Sequence, residues 1–232
     1  MNELTKHETK RVQTMEEKLN TLRAGVLGAN DGVLTVVGVL FSVAAATSNQ
    51  FVIMIAGISD LLACAFSMAS GEYASVSTQK DTEKSAVVTE QRLLKSDFAG
   101  QIKVVTDYYI AEGVSKQTAT EIAKDLLAKK ALATVVKIKY GIELGHYLNP
   151  WDAAISSLFA ASIGGIFPLV AMTFAPADLK MIATIIAVTF SVALTGLISS
   201  KLGNGMVKNA IIRNIIVGLI TMFIHYYVGQ LF

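Results

Sequence analysis

The sequence predicts an all-α membrane protein of five transmembrane helices, with a small helical cytoplasmic domain inserted between helices 2 and 3. Three observations carry this expectation. The first is composition: of 232 residues, 53% are hydrophobic and 16% charged, and the mean hydropathy is +0.52, against roughly 25% charge in a soluble domain. The second is spacing. Apolar stretches fall at 25–47, 51–77, 153–175, 179–199 and 210–229, each close to the roughly 20 residues a helix needs to cross the hydrocarbon. The third is the distribution of Lys and Arg, which stay near span ends on the cytoplasmic side. With the N-terminus inside, five fall in 1–23, eleven in 80–149 and three in 201–213, leaving Lys180 alone outside. The same asymmetry accounts for the basic residues without a nucleic-acid partner, since the formal charge is only +2.

Residues 1–24 form a charged segment with Val12, Met15, Leu19 and Leu22 at three- and four-residue steps, an amphipathic cytoplasmic helix. Residues 25–79 hold helices 1 and 2. The first apolar stretch follows a long charged segment and is as long as a full span, so it reads as a retained helix and not a signal peptide. It carries Asn30 and Asp31 two turns in, and Gly28 and Gly32 form a small-xxx-small pair that lets another backbone approach. Those glycines fit packing within the bundle or a dimer face.

Helix 2 carries Asp60, Cys64, Met68 and Glu72 at i, i+4, i+8 and i+12, one slowly drifting stripe. A carboxylate, a thiol and a thioether on one face make a ligand row for a divalent transition metal. An ionised side chain near the bilayer centre costs roughly 2.5–3.5 kcal/mol even on the lenient insertion scale. Asp60 therefore needs a partner, and no Lys or Arg lies between Gly25 and Gln79. A proton, a mobile cation or a base on a more distant helix remains. Taken singly, Cys64 and Met68 fit ordinary helix packing, and Glu72 fits a solvated interfacial carboxylate as well as a ligand. Cys64 is the sole cysteine, so no disulfide can form within a subunit.

Residues 80–149 read as three helices making a small cytoplasmic domain, with apolar residues at helical spacing from Leu93 to Tyr109, from Ile122 to Leu127 and from Leu132 to Val136, Gly113 as a C-cap and Ser115 as an N-cap. Residues 150–232 hold helices 3–5. Asn149-Pro150-Trp151-Asp152 supplies a cap, a proline at the first helical position, an acid at the positive end of the dipole and an interfacial ring. Pro168 frees the Gly164 carbonyl, either as a hard-oxygen ligand or as a kink accommodated by neighbours. His225 reads as an interfacial residue near the outer end of helix 5.

The Asn30-Asp31-Gly32 motif, the run from Ser67 through Tyr73 (SMASGEY) with Ser75 to Asp81 (SVSTQKD), the five-span plan with its insertion, and Asn149-Pro150-Trp151 together resemble the vacuolar iron transporter (VIT) family, most closely its bacterial members. The resemblance covers nearly the whole chain. It implies a homodimer that moves ferrous iron, and often manganese, out of the cytosol in exchange for protons. It also implies a path lined by Asp31, Asp60 and Met68, with Glu72 matching a Glu of the bacterial motif. Asp60 stands where the family usually has Glu. In the insertion, Glu90 matches a family acid, but Leu93, Ala99 and Gln101 stand where acids are expected, and Lys129, Lys130 and Lys139 occupy the late ligand region.

The expected function is thus a secondary transporter exporting Fe²⁺ or Mn²⁺, with Asp31, Asp60, Met68, Glu72 and Cys64 as metal ligands. It needs no cofactor, since the metal is substrate, and it is not an enzyme, because no nucleophile lies beside a base. Its partners are metal ions, protons, the lipid bilayer and a second copy; its place is a bacterial cell membrane or, alternatively, a vacuolar membrane. Two other readings are a non-transporting membrane protein whose insertion docks a partner, and a passive cation channel.

Overall fold

The computed structural model describes residues 15–203 and 205–231, and every described regular element is an α-helix. In chain order these are α1 (Met15–Ala46), α2 (Gln50–Ser96), α3 (Phe98–Ala111), α4 (Lys116–Tyr140), α5 (Pro150–Phe174), α6 (Lys180–Leu202) and α7 (Val207–Gly229). Five of them, α1, α2, α5, α6 and α7, are long and apolar enough to cross a membrane.

The chain divides into two compact units. One comprises residues 1–75 and 149–232, and the other is Val76–Leu148. In the first, α1 is the central element. Its core face (Val33, Val36, Val37, Leu40, Phe41) meets Ile53 of α2, Met172 of α5, Val188 and Val192 of α6, and Met222 of α7. The small residues of α1 decide how close α5 comes. A Cβ on Gly32 would overlap the Ala161 carbonyl, and one on Gly164 would overlap the Ala29 carbonyl. Gly28 likewise backs onto Ser157. The Gly28/Gly32 pair thus serves packing inside one bundle, as small residues do where helices lack a hydrophobic driving force.

Two span boundaries differ from the sequence reading. The expected break between the amphipathic segment and helix 1 is absent from Met15 onward, where α1 is continuous; residues 1–14, including Val12, lie outside the described region. No Pro lies in α1, so no residue of it lacks the backbone N–H that propagation needs. Helix α2 likewise runs past the expected end of the span to Ser96, and the boundary between the units falls within it.

In Val76–Leu148 the core joins Val105 of α3 to Ala123, Leu127 and Val135 of α4, while a second cluster joins Val87, Val136 and Ile142. The sequence reading ran one helix through Leu93 to Tyr109. Instead Asp97 ends it and caps α3, its side chain accepting from the Gly100 amide at 2.8 Å. Ser115 caps α4 as expected, and Gly113 takes φ +92°, the left-handed backbone a glycine tolerates at a helix end. The expected separation between Leu127 and Leu132 survives only as a kink, with Lys130 out of helical geometry. On α5, Asn149 accepts from the Trp151 amide and Pro150 opens the helix, while Pro168 is carried within a helix that continues to Phe174.

Candidate functional site

Helices α1 and α2 are joined by a short turn, so their residues face each other in antiparallel register. Thr35 stands beside Asp60 and Cys64; one turn back along α1, Asp31 meets Cys64; two turns further back, Arg23 meets Glu72. Each four-residue step along α2 is matched by four residues back along α1. The stripe of Asp60, Cys64, Met68 and Glu72 is therefore turned toward α1, and the partners α1 offers decide what each can do.

At the centre, Cys64 Sγ donates to Asp31 Oδ2 at 3.6 Å. Asp60 lies within electrostatic reach of Asp31 and of His225. Its Oδ2 is buried without a hydrogen-bond partner, and so is the Thr35 hydroxyl, which stands close by but closes no bond of ordinary geometry. Two carboxylates and a thiol thus share a half-buried space. A buried acceptor left unmade costs about 1–3 kcal/mol, more if charged, so the arrangement is one that a proton or a cation would complete.

Met68 packs one turn beyond Cys64 against the cluster of Cys64, Ala65, Leu158 and Ala161. Its side chain is held among these apolar neighbours. Of the two sequence readings of Glu72, metal ligand or solvated interfacial carboxylate, its burial departs from the second. It is 7% exposed, its Oε2 lies 3.7 Å from an Arg23 nitrogen, and that oxygen makes no hydrogen bond. The helix that buries it supplies the counter-charge: because α1 extends to Met15, Arg23 lies on the same face as Asp31, two turns earlier.

The five candidate ligands therefore do not converge on one point. Among the described residues, no three His, Cys, Asp or Glu side chains form a ready-made metal site. They form a series instead, with Glu72 and Arg23 at one level and Met68, Cys64 with Asp31, and then Asp60 with Thr35 at successive turns. His225 belongs at the far end of that series. Half-buried, it packs against Gly38, its Nδ1 lies 3.3 Å from Ser42 Oγ, and Ser42 Oγ donates to its carbonyl at 2.9 Å. Position near a helix end suggests an interfacial role; what position could not give is the Gly38 notch, which admits the ring where a Cβ would crowd it.

Glu90, the one insertion acid matching the resemblance, is almost fully buried in Val76–Leu148. It accepts from Lys139 Nζ at 2.8 Å and Tyr140 Oη at 2.9 Å. That hydrogen bond to Glu90 pushes the Tyr140 phenol up from its ordinary value.

Comparison with known proteins agrees with this architecture. The chain is 33% identical over 211 residues to a vacuolar iron transporter of Acanthamoeba castellanii, covering 90% of this chain and 78% of that one. It is 30% identical to vacuolar iron transporter homolog 5 of Oryza sativa subsp. japonica, over 93% and 82% of the two chains. It is 26% identical to vacuolar iron transporter homolog 2.1 of Arabidopsis thaliana, over 89% and 78%. With the VIT family model matched from residue 22 to residue 230, across all five apolar helices, this multi-pass membrane protein belongs to the VIT family.

Proposed function

We propose that the protein is a secondary transporter that exports Fe²⁺ or Mn²⁺ from the cytosol in exchange for protons, with Asp31, Asp60, Cys64 and Met68 as transient ligands. The observation that carries this reading is the unpartnered, buried Asp60 oxygen beside Asp31 and Cys64. Two acids in an apolar bundle with no Lys or Arg at their level need a mobile positive charge. Metal binding requires ligands to be deprotonated, so one site that holds either proton or metal couples the two fluxes in opposite directions. A stepped row of single ligands suits passage, because no level binds tightly enough to trap the ion. Glu72, paired with Arg23, acts as a gate residue at the mouth and not as a permanent ligand. The relatives' names support iron as a substrate.

In this reading the N-terminus and Val76–Leu148 face the cytoplasm, as the basic residues ask, and the protein works in a bacterial cell membrane as a homodimer. Exposed Ala63, Ser67 and Ser70 on the α2 span supply the small surface on which a second copy packs closely. Val76–Leu148 holds no metal cluster: Lys139 already occupies the buried acid that the family resemblance would assign to one.

The test is uptake by proteoliposomes with Fe²⁺ or Mn²⁺ presented on the former cytoplasmic face and a proton gradient directed against it. Uptake should rise with the gradient and acidify or alkalinise the two compartments reciprocally. Metal flux unchanged in Asp31→Asn and Asp60→Asn would sink the assignment.

A further inference from the structure

A second polar region adjoins the acid row at its Arg23 level, at the end of the bundle where the described part of α1 begins. There α1, the end of α6 and the start of α7 enclose a cleft of about 520 Å³ bounded by Arg23, Asn30, Ser199, Arg213 and Asn214. No acid lines it. Arg213 makes no ion pair among the described residues. Arg23 reaches Asn20 Oδ1 at 3.2 Å and Glu72 only at 3.7 Å, so most of its five N–H donors are unspent. Asn214 donates to the Val192 carbonyl at 3.3 Å, which fixes that side chain in the wall.

Next to this cleft, and sharing Leu22 and Val26 with it, is a groove of about 280 Å³ between α1, α5 and α6. Ala160, Ile163, Phe167, Leu194 and Ile198 line it. Two of its three hydroxyls are spent on backbone: Ser156 donates to the Thr21 carbonyl at 3.0 Å and Thr195 to the Val192 carbonyl at 2.9 Å. The surface left is that of hydrocarbon. A cationic pocket joined to an apolar groove within one helical bundle describes an amphiphile with an anionic head.

We infer that the cleft between Arg23 and Arg213 binds a phosphate group, presented by an anionic phospholipid whose acyl chain lies in the adjoining groove. Two guanidinium groups match phosphate oxygens in geometry as well as charge, and two cations without a lining acid favour a net negative head over a zwitterionic one. The site would also hold α1, α6 and α7 together at this end, since the head contacts all three. A soluble phosphate could use the same arginines but would leave the groove without a role.

Native mass spectrometry of the full-length protein, released from micelles containing equal dioleoyl phosphatidylglycerol and dioleoyl phosphatidylcholine, tests the inference. Phosphatidylglycerol adducts should exceed phosphatidylcholine adducts about tenfold, the scale of one charge-assisted hydrogen-bond pair. Arg213→Gln should remove that excess. Arg213→Lys should keep part of it, and Lys208→Gln, outside the cleft, should leave it unchanged. Because Arg213 is exposed, its replacement leaves the fold intact. Equal adducts of the two lipids, or an excess that survives Arg213→Gln, would overturn the lipid site. A parallel calorimetric titration with inorganic phosphate separates the sources: millimolar phosphate binding that depends on Arg213, without a lipid preference, would assign the cleft to a soluble anion and overturn the lipid reading.

Discussion

At the scale of single residues, the molecule places its acids in three different situations, and each implies a different response to neutralisation. Asp60 has a buried oxygen without a partner. Asp60→Asn keeps the shape and removes the charge, so it should abolish metal uptake, a loss of at least about a hundredfold, while the melting temperature holds or rises. Glu90 is the opposite case, since two donors satisfy it. Glu90→Gln leaves Lys139, only 21% exposed, without its counter-charge, and breaking a buried pair typically costs about 3–5 kcal/mol. The expected outcome is a lowered unfolding midpoint in the full-length protein with the uptake rate per folded molecule nearly unchanged; a selective loss of uptake would make Glu90 part of the transport path. Tyr140 reports on the same cluster. Its phenol is raised by the hydrogen bond it donates to Glu90, so that bond is fully present below the ordinary tyrosine value of about 10 and is lost as pH rises through the raised one. Absorbance at 295 nm should therefore show one tyrosine titrating late, and Tyr140→Phe should remove that late component.

At the scale of elements, the α1–α5 contact depends on two glycines against two backbone carbonyls. Gly32→Ala puts a Cβ into the Ala161 carbonyl, and neither backbone can yield without moving a whole helix. Overpacking of this kind costs about 1–3 kcal/mol, to be seen as a lower midpoint in detergent unfolding. Gly71 on α2 provides the control, because a Cβ there meets nothing within 4 Å. Gly71→Ala should be neutral or stabilising by up to about 1 kcal/mol, the difference in helix propensity. If both substitutions behaved alike, steric contact would not be what fixes α5 on α1. The same contact serves the acid row, since Ala161, against which Gly32 lies, packs with Cys64 and Met68.

For the whole molecule, metal affinity should reside in one of the two compact units. In the acid row Asp31 and Asp60 have no Lys or Arg at their level, whereas in Val76–Leu148 the buried acid is neutralised by Lys139, and eleven basic residues face nine acids in 80–149. An added divalent cation is disfavoured beside those ammonium groups. Calorimetric titration of the full-length protein with Mn²⁺ should therefore lose all micromolar binding in the Asp31→Asn, Asp60→Asn double variant. Residual stoichiometric micromolar binding would place a metal site in Val76–Leu148.

The sequence by itself determined the helical class, the five apolar helices, the caps at Ser115 and Asn149, and the α2 stripe of Asp60, Cys64, Met68 and Glu72. These follow from local rules of hydrophobic length, 3.6-residue periodicity and backbone hydrogen-bond satisfaction, which neighbours in sequence are enough to express. What only the tertiary structure decided is who faces whom. That Glu72 is buried against Arg23, that Cys64 meets Asp31 while Asp60 keeps an unpartnered oxygen, that His225 sits in the Gly38 notch, and that Glu90 is taken by Lys139 and Tyr140 all depend on the antiparallel register of α1 and α2 or on contacts between residues from about fifty to nearly two hundred positions apart. A carboxylate's role is fixed by its counter-charge, and in a helical bundle that counter-charge comes from another helix.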